Sequence, residues 1–449
     1  MKQGCLLVTA FLPMTPMRLK SFRRRHTSCS LVGIAPKMRE VRASEFGWSA
    51  AVVPDWTDML ERKREYDRAL LAITVALTGI GLVMVYSSSM MWVESNGLSR
   101  SFLLTRQLMR LFAGLALMLV VMHVDYHVLA RRSGSLFVAA LVLLLALLIV
   151  NRPVNGVTRS LALRLPLLGE YVSSFQPAEI AKLALVVYLS DVLVKRQRVI
   201  CSFSRGLLPH VLVIGLTVGL IMLQPDVGTG IAVGVSAAIL LFVGNARLSH
   251  LLITGAACLP VVVWYALSAD YRSIRITGFL HPDQYRDGVN YQITQALIAF
   301  SKGGAVGVGL GESKQKLLFL PEPFTDFIFP IIGEEFGLLG TIVVLALLLV
   351  FVRQGIRIAR RAPDLFGFFL GVGITSMVGV HAVLNLAVTM GLLPTTGLAL
   401  PFISYGGSGL LIALLSTGIL LNISRQGRAE GLWTQDYGRR GDRIKGVRA

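Results

Sequence analysis

Two carboxylates stand a few residues before a long apolar run, in the stretch LPEPFTDFIF that covers residues 320–329. Glu322 lies between two prolines, and Asp326 directly precedes the apolar residues that begin the run. Carboxylates so close to hydrocarbon are costly and mark a functional site by default. Because a positioned carboxylate can take a proton from a hydroxyl group, this stretch is a candidate for acid–base chemistry.

A second acid lies beside a base in the stretch FQPAEIAKLALVVYLSD. Glu179 and Lys182 are three residues apart, so on a helix their side chains share one face and can form an ion pair. The pair either neutralises two charges that merely tolerate burial, or it lines a polar cavity inside a helix bundle. Both interpretations place the pair against protein rather than lipid.

Asp226, in the stretch LQPDVGTG, is open to two interpretations of the same kind. A helix broken at Pro225 and the nearby glycines would free backbone groups that must line a cavity or pack in protein. A tight hairpin in which Asp226 caps the following helix explains the same residues. The sequence alone leaves both open.

Further polar groups gather toward the carboxyl-terminal half. The glycine-rich stretch GGAVGVGLGESKQK could hold a diphosphate with its backbone and its lysines, although irregular turns are the simpler explanation of the glycines. The acids of the GEE stretch could cap a helix, and prolines and glycines should loosen the helix that begins in LALPFISYGGSGLL. The additional candidate residues for a polar cavity are Lys314, Lys316, Glu335, Asn385 and Ser404.

The composition predicts an all-α polytopic membrane protein. Of the 449 residues, 54% are hydrophobic and only 15% are charged, whereas soluble domains carry roughly 25% charged residues. The net charge of +19 would suggest nucleic acid in a soluble protein. Here we predict no nucleic-acid partner, because the cytoplasmic flanks of membrane helices collect Lys and Arg. The four cysteines show no metal-ligand spacing, and no metal-binding residues are predicted.

Hydropathy predicts about ten membrane-spanning helices. They fall near residues 69–93, 103–124, 135–151, 179–195, 206–224, 229–245, 248–268, 331–353, 365–391 and 397–423. The chain therefore divides into a basic, disordered tail (1–65), a ten-helix membrane domain (66–425) and a second basic tail (426–449). A large loop, residues 269–330, connects helices seven and eight.

The basic clusters of the short loops all fall on one side of the membrane when ten spans are threaded. They precede the first span and follow the second, fourth, sixth, eighth and tenth. The positive-inside rule then places both termini in the cytoplasm. The large loop, which carries Asp326, faces outward.

Several blocks of the sequence resemble one family. VNGVTRSL, FQPAEIAK, LQPDVGTG, GVNYQITQALIAF, LPEPFTDFIFPIIGEEFG and LLPTTGLALPFISYGGSGLL occur in this order between residue 66 and about residue 425. They are similar to the SEDS family (shape, elongation, division and sporulation), and more to its cell-division branch than to its rod-shape branch. The resemblance implies an integral protein of the bacterial inner membrane, at the division septum, that polymerises the cell-wall precursor lipid II.

The resemblance also assigns residues. Asp326 falls on the family's catalytic aspartate, and Glu179 and Lys182 fall on its paired cavity residues. Three positions depart from the family pattern: Phe324 stands where His is usual, Leu161 where Trp is usual, and His381 where Gln is frequent. These departures bear on contacts with substrate, whereas the acid itself is intact.

Lipid II polymerisation joins the 4-hydroxyl of one disaccharide to the anomeric carbon of another and expels a polyprenyl diphosphate. The developing negative charge needs cations, and the candidates are Arg159, Lys314 and Lys316, with Arg275 as a weaker one. No His/Asp/Glu cluster defines a metal site, but the resemblance makes a divalent cation, Mg²⁺ or Mn²⁺, plausible at the diphosphate. It also implies partners: the nascent glycan strand, a class B penicillin-binding protein transpeptidase, and other division proteins.

Two other functions fit many of the same features. A flippase that moves lipid II across the membrane would also use buried charges and broken helices. A non-catalytic division scaffold would need only its tails. Asp326 separates the three readings, because a scaffold does not need this acid and a flippase would favour acids nearer the middle of the bilayer.

Overall fold

The computed structural model describes residues 66–150, 161–164, 172–268, 270–281, 284–285, 288 and 290–446. The predicted tail 1–65 and the candidate Arg159 lie outside these ranges. The described helices are α1 (Arg68–Ser95), α2 (Phe102–His123), α3 (His127–Arg131), α4 (Ser133–Val150), α5 (Pro177–Arg196), α6 (Leu208–Met222), α7 (Val227–Val243), α8 (Leu248–Leu267), α9 (Asp270–Leu280), α10 (Tyr291–Gly303), α11 (Ile328–Arg360), α12 (Leu365–Thr389) and α13 (Gly407–Gly446).

Two short strands are the exception to this helical architecture among the described residues. β1 (Leu161–Arg164) and β2 (Val172–Phe175) form an antiparallel pair, with Leu161 opposite Phe175 and Arg164 opposite Val172. The pair lies between α4 and α5, within the connection that the sequence places outside the membrane. It contacts the membrane domain near α13, because the backbone N–H of Gln176 donates to the hydroxyl of Ser408 at 2.8 Å.

Ten helices of the described part account for the predicted spans. Seven are long and apolar enough to cross a membrane: α1, α2, α6 with the π-helical turn before it, α8, α11, α12 and the first part of α13. α4 and α7 are equally apolar but shorter. α5 is less apolar than these helices, because five of its 20 residues are charged. It is nevertheless largely buried in protein. The prediction of an all-α polytopic membrane protein is therefore confirmed.

The position of each helix in the bundle follows from how much of it other helices cover. In the most apolar stretch of α13, 78% of the residues are buried, and in that of α12, 67% are buried. In the corresponding stretch of α8, no residue is buried. α12 and α13 are thus the central helices, and α8 exposes its apolar residues at the periphery. α12 packs against α5, α7, α11 and α13, so any polar side chain on α12 must find partners within the protein.

The last predicted span differs from the structure at both ends. Residues 397–406, predicted as the start of the last span, are not helical, and α13 begins at Gly407. α13 then continues to Gly446, past residue 425, where the sequence predicts the start of a tail. The loop helix α10 buries Ile293 and Ala296 against α11, whereas its Leu297 is 47% exposed.

α11 contains a break that joins it to the large loop. Gly337 has φ 65° and ψ −159°, so the intrahelical hydrogen bonds stop there. The backbone N–H of Leu338 donates instead to the carbonyl of Gly304 at 2.9 Å, and the N–H of Val308 donates to the freed carbonyl of Glu334 at 3.0 Å. Because the loop supplies the partners that the helix loses, the broken backbone is satisfied inside the protein.

The glycines of the loop make this exchange sterically possible. A Cβ on Gly307 would lie 2.2 Å from the carbonyl oxygen of Glu335, and a Cβ on Gly303 would lie 1.9 Å from that of Gly333. Gly307 also has φ 89°, which side chains disfavour. The glycine-rich stretch therefore serves close backbone packing in irregular turns, as its simpler interpretation predicted.

Candidate active site

The segment that carries Asp326 is fastened to the non-helical segment 397–406. The side-chain amide of Asn385, on α12, donates to the backbone carbonyl of Asp326 at 2.8 Å and to that of Leu398 at 2.6 Å. The backbone N–H of Tyr405 donates to the carbonyl of Phe324 at 2.8 Å. Asn385 thus holds two irregular segments together, and the contact fixes the main chain of Asp326 without using its carboxylate.

The carboxylate of Asp326 lies at a boundary between exposed and buried chain. Asp326 is half-buried, and the next residues, Phe327 and Ile328, are fully buried and start α11. The hydroxyl of Thr325 lies 2.9 Å from Oδ1 of Asp326 and 2.8 Å from the carbonyl oxygen of Glu322. The single hydroxyl proton of Thr325 serves one of these acceptors at a time.

Glu322 plays a different part from Asp326. Its side chain is exposed, and its backbone has φ 43°. The contacts of Glu322 in the described structure are made by its backbone carbonyl, which accepts from the N–H of Thr325 at 3.1 Å. The backbone of the predicted site residue Glu322 therefore shapes the turn before Asp326, and the carboxylate of Glu322 itself faces solvent.

Glu179 and Lys182 form the predicted ion pair. The Nζ of Lys182 lies 2.7 Å from Oε1 of Glu179, and the two side chains are 5% and 12% exposed. His381, on α12, adds a third member, with its Nε2 3.2 Å from the Lys182 Nζ. The three side chains border a cavity of about 50 Å³ that also contacts Ser404 and Pro401 of the non-helical segment. The pair therefore borders an internal cavity, and most of the other residues that line this cavity are apolar.

α12 links this cavity to the segment of Asp326. His381 and Asn385 are four residues apart, so they lie on the same face of the helix, about 6 Å apart along its axis. His381 contacts the Glu179–Lys182 pair, and Asn385 binds the main chain of Asp326. Through α12 the structure therefore connects the Glu179–Lys182 pair with the main chain of Asp326, which is far from that pair in the sequence.

Asp226 is the cap of a helix, as one of its two interpretations predicted. Its carboxylate accepts from the backbone N–H of Thr229 at 3.1 Å and from the Thr229 hydroxyl at 2.9 Å, at the start of α7. It also accepts from the side-chain amide of Gln176 at 3.2 Å. Ser404 has a similar local role, because its hydroxyl accepts from the backbone N–H of Leu400 at 2.8 Å while it lines the cavity.

Lys316, a predicted partner for the diphosphate, is already used in an ion pair. Its Nζ lies 2.9 Å from Oε1 of Glu335, and the hydroxyl of Ser87 donates to the same carboxylate at 2.7 Å. Lys316 and Glu335 are 7% and 0% exposed at their side chains. The pair fastens the large loop to α1 and α11, which removes Lys316 from the cations that substrate can reach. Lys314, by contrast, is exposed.

The two acids of the GEE stretch do not cap a helix, because α11 begins six residues before Glu334. The carboxylate of Glu334 is fully buried. It accepts from the backbone N–H groups of Lys314 at 3.1 Å and Gln315 at 3.2 Å, and from the hydroxyl of Ser313. Both acids thus position the loop rather than the start of the helix.

Phe324, where the family pattern has His, is a packing residue in this chain. It is 3% exposed, and its ring centroid lies 5.4 Å from that of Trp92 and 5.6 Å from that of Tyr405. The guanidinium of Arg110 lies 4.7 Å from the centre of the Tyr405 ring. The departure at Phe324 therefore extends an aromatic cluster beside the site. The side chain of Leu161, the second departure, lies outside the described side chains.

The sequence analysis passed over Arg106 and Arg110, two arginines inside the second predicted span. Arg106 stacks on Phe102 at 4.3 Å, and Arg110 stacks on Tyr405. Charges within an apolar run are the signal that could have identified them. The weaker candidate Arg275 donates to the backbone carbonyl of Thr395 at 3.3 Å. In the described residues, no three His, Cys, Asp or Glu side chains gather to bind a metal ion.

Comparison with known proteins identifies the family. A family model described as "Cell cycle protein", which groups FtsW, RodA and SpoVE, matches residues 68–429. The chain belongs to the SEDS family. The family prediction, with its likeness to the cell-division branch, is confirmed.

Named relatives cover almost the whole SEDS domain. The chain is 42% identical over 365 residues to a probable peptidoglycan glycosyltransferase FtsW of Trichlorobacter lovleyi, which covers 81% of this chain and 94% of that protein. It is 41% identical over 372 residues to stage V sporulation protein E of Bacillus subtilis, with 82% and 100% covered.

Solved structures of SEDS proteins share the fold. One, described as "Structural coordination of polymerization and crosslinking by a peptidoglycan synthase complex", matches with a TM-score of 0.64 at 28% identity and covers 81% of this chain and 98% of that one. Another is the rod shape determining protein RodA of Thermus thermophilus, with a TM-score of 0.58 at 28% identity and 80% and 97% covered.

Proposed function

We propose that this SEDS protein polymerises lipid II into glycan strands during septal cell-wall synthesis, with Asp326 as the general base. The observation that supports the proposal is the hydrogen bond from Asn385 to the main chain of Asp326, because Asn385 lies about one helical turn from His381, which contacts the Glu179–Lys182 pair. The enzyme class is the one in the names of its relatives, so the prediction of a peptidoglycan glycosyltransferase is confirmed.

The reaction needs a base for one hydroxyl and a path for one leaving group. Asp326 takes the proton of the 4-hydroxyl of one disaccharide while the hydroxyl oxygen bonds to the anomeric carbon of the second. The bond between that carbon and the polyprenyl diphosphate breaks, and its electron pair stays on the diphosphate. An acid at the end of a membrane helix suits this chemistry, because the lipid stays in the bilayer while the sugars reach the loop.

The leaving diphosphate needs positive charge, and the structure narrows the candidates for it. Lys316 is neutralised by Glu335, so Lys314 and Arg159 remain in this role as proposals. Among the described residues, no group of three or more His, Cys, Asp or Glu side chains is placed to hold Mg²⁺ or Mn²⁺. We therefore propose that a divalent cation arrives with the diphosphate of the substrate, and we derive no step of the reaction from it.

The chain is a multi-pass membrane protein, and we propose the inner membrane at the division septum as its location, with both termini in the cytoplasm. This orientation rests on the basic clusters of the short loops. A reporter fused after Gly311 should lie outside the cytoplasm. A reporter fused after Arg361 should lie in the cytoplasm. The opposite pattern would overturn the orientation and the placement of Asp326 together.

We also propose a class B penicillin-binding protein as the partner. The support is a structural relative described as a peptidoglycan synthase complex that coordinates polymerisation with crosslinking. The apolar residues that α8 and α11 leave exposed offer surface for lipid or for membrane helices of a partner.

The direct test is polymerisation by the purified protein. The full chain, reconstituted with its transpeptidase partner and supplied with fluorescent lipid II, should produce glycan strands that separate as a ladder on a gel. Transport of lipid II across vesicle membranes without any glycan product would favour a flippase.

A further inference from the structure

His381 completes a hydrogen-bonded cluster whose proton positions can be worked out. The Lys182 ammonium lies 2.7 Å from a Glu179 oxygen and 3.2 Å from Nε2 of His381. An ammonium group has donors and no acceptor. Lys182 must therefore donate to Nε2, and that nitrogen carries no proton of its own.

The remaining nitrogen of the ring then carries the proton. A neutral imidazole has one N–H, so Nδ1 of His381 is a donor. This atom is buried and has no hydrogen-bond partner among the described residues. Buried donors in native proteins are almost always paired, so an unpartnered N–H at this place points to a ligand.

The surroundings of His381 give the ligand a place. The residue borders the cavity of about 50 Å³ beside the segment 397–406, and also a smaller cavity of about 10 Å³ beside Ser236 of α7. The larger cavity has room for a few water-sized groups. It can therefore receive a single substituent of a larger molecule bound above it.

The charges of the cluster select the chemistry of that substituent. Glu179 and Lys182 cancel each other, and His381 is neutral when its Nε2 accepts from Lys182. A phosphate group would meet no net positive charge and would approach the Glu179 carboxylate. A neutral oxygen, such as a sugar hydroxyl or an amide carbonyl, can accept from Nδ1–H without that repulsion.

We propose that His381 is a binding and positioning residue for substrate: its Nε2 holds the Lys182 ammonium in place, and its Nδ1–H donates to a neutral oxygen of the lipid-linked saccharide. This inference rests on the proposed function for the identity of the substrate. It goes beyond the Glu179–Lys182 pair, because it assigns one donor atom and excludes the diphosphate from this position.

The test measures binding of lipid II to the full-length protein in nanodiscs, so that it does not depend on turnover. His381→Gln keeps an acceptor for Lys182 and a donor for the cavity, and its Kd should stay within about twofold of the wild type. His381→Leu removes both and should raise the Kd by about tenfold, the effect of one lost hydrogen bond. Thermal unfolding of each variant shows whether it is folded.

A methylated residue separates the two nitrogens. Histidine methylated at Nδ1, incorporated at position 381, keeps the acceptor for Lys182 and loses only the donor to the cavity. We expect it to raise the Kd as His381→Leu does. An unchanged Kd for the methylated protein or for His381→Leu would overturn the proposal. A lower unfolding temperature with unchanged Kd would also overturn it, because it would mean that Nδ1 binds only a structural water.

The same preparations distinguish failure of this inference from failure of the proposed function. Wild-type protein that binds lipid II and makes no glycan would contradict the polymerase, and the binding series would still decide the role of His381. Wild-type protein that makes glycan, with equal Kd values for all the variants, would leave the polymerase intact and dismiss His381 as a substrate residue.

Discussion

Replacing Asp326 with Asn should lower the rate of lipid II polymerisation by about 10²–10⁴-fold, the usual contribution of a general base. The amide has nearly the same shape as the carboxylate, but it cannot take the proton of the attacking hydroxyl. The variant should still fold and insert, because Asn385 binds the backbone carbonyl of residue 326 and not its side chain. The rate is measured as glycan formed from fluorescent lipid II by the reconstituted complex.

Glu322→Gln is the matched control for this experiment. It makes the same chemical change four residues earlier, in an exposed side chain whose contacts are made by its backbone, so turnover should remain measurable. Co-purification with the transpeptidase checks that Asp326→Asn preserves the complex. If Asp326→Asn polymerised at the wild-type rate, the acid would not be the base, and transport of lipid II would become the leading function.

Replacing Lys316 with Met should destabilise the protein by about 3–5 kcal/mol, because it leaves the Glu335 carboxylate buried without its cation. Both members of this pair are almost inaccessible to solvent, and the hydroxyl of Ser87 cannot supply the missing charge. The loss should appear as a lower free energy of unfolding in detergent, followed by loss of the contacts between the loop and α11.

A double-mutant cycle shows whether the pair acts as a unit. Adding Glu335→Gln to Lys316→Met removes the stranded charge, so the double variant should be more stable than Lys316→Met alone. Lys314→Met, two residues away in an exposed side chain, serves as the control and should change stability by no more than about 0.5 kcal/mol. Strictly additive losses for Lys316 and Glu335 would show that the two side chains do not interact in solution.

Helical periodicity and hydropathy determined much of this protein from the sequence. The predicted spans follow from runs of apolar residues whose length is set by the thickness of the bilayer, and seven of the described helices are long and apolar enough to cross it. The ion pair of Glu179 and Lys182 was predictable from helical periodicity, since residues three apart on a helix share a face whatever surrounds them. Asp226 as a helix cap was one of two readings that its local sequence allowed, and the structure decided between them.

The limits of prediction appear where the chain leaves regular helix. Residues 397–406 read as the start of an apolar span, yet they form an irregular segment. The carbonyl of Leu398 finds its donor in Asn385, and the N–H of Leu400 finds its acceptor in Ser404. Side-chain partners of this kind replace the hydrogen bonds of a helix. Hydropathy does not register them, because it sums residues without regard to their partners.

The tertiary structure alone decided which charges of the site remain available. Lys314 and Lys316 look equivalent in the sequence, but the break at Gly337 brings the loop against α11 so that Lys316 meets Glu335 and Lys314 faces solvent. His381 meets Lys182 across 199 positions of sequence. Contacts at such separations depend on the path of the loop and the packing of α12 against α5, which no local pattern encodes. The sequence determined which acids and bases this protein carries, and the packing determined which of them are already paired.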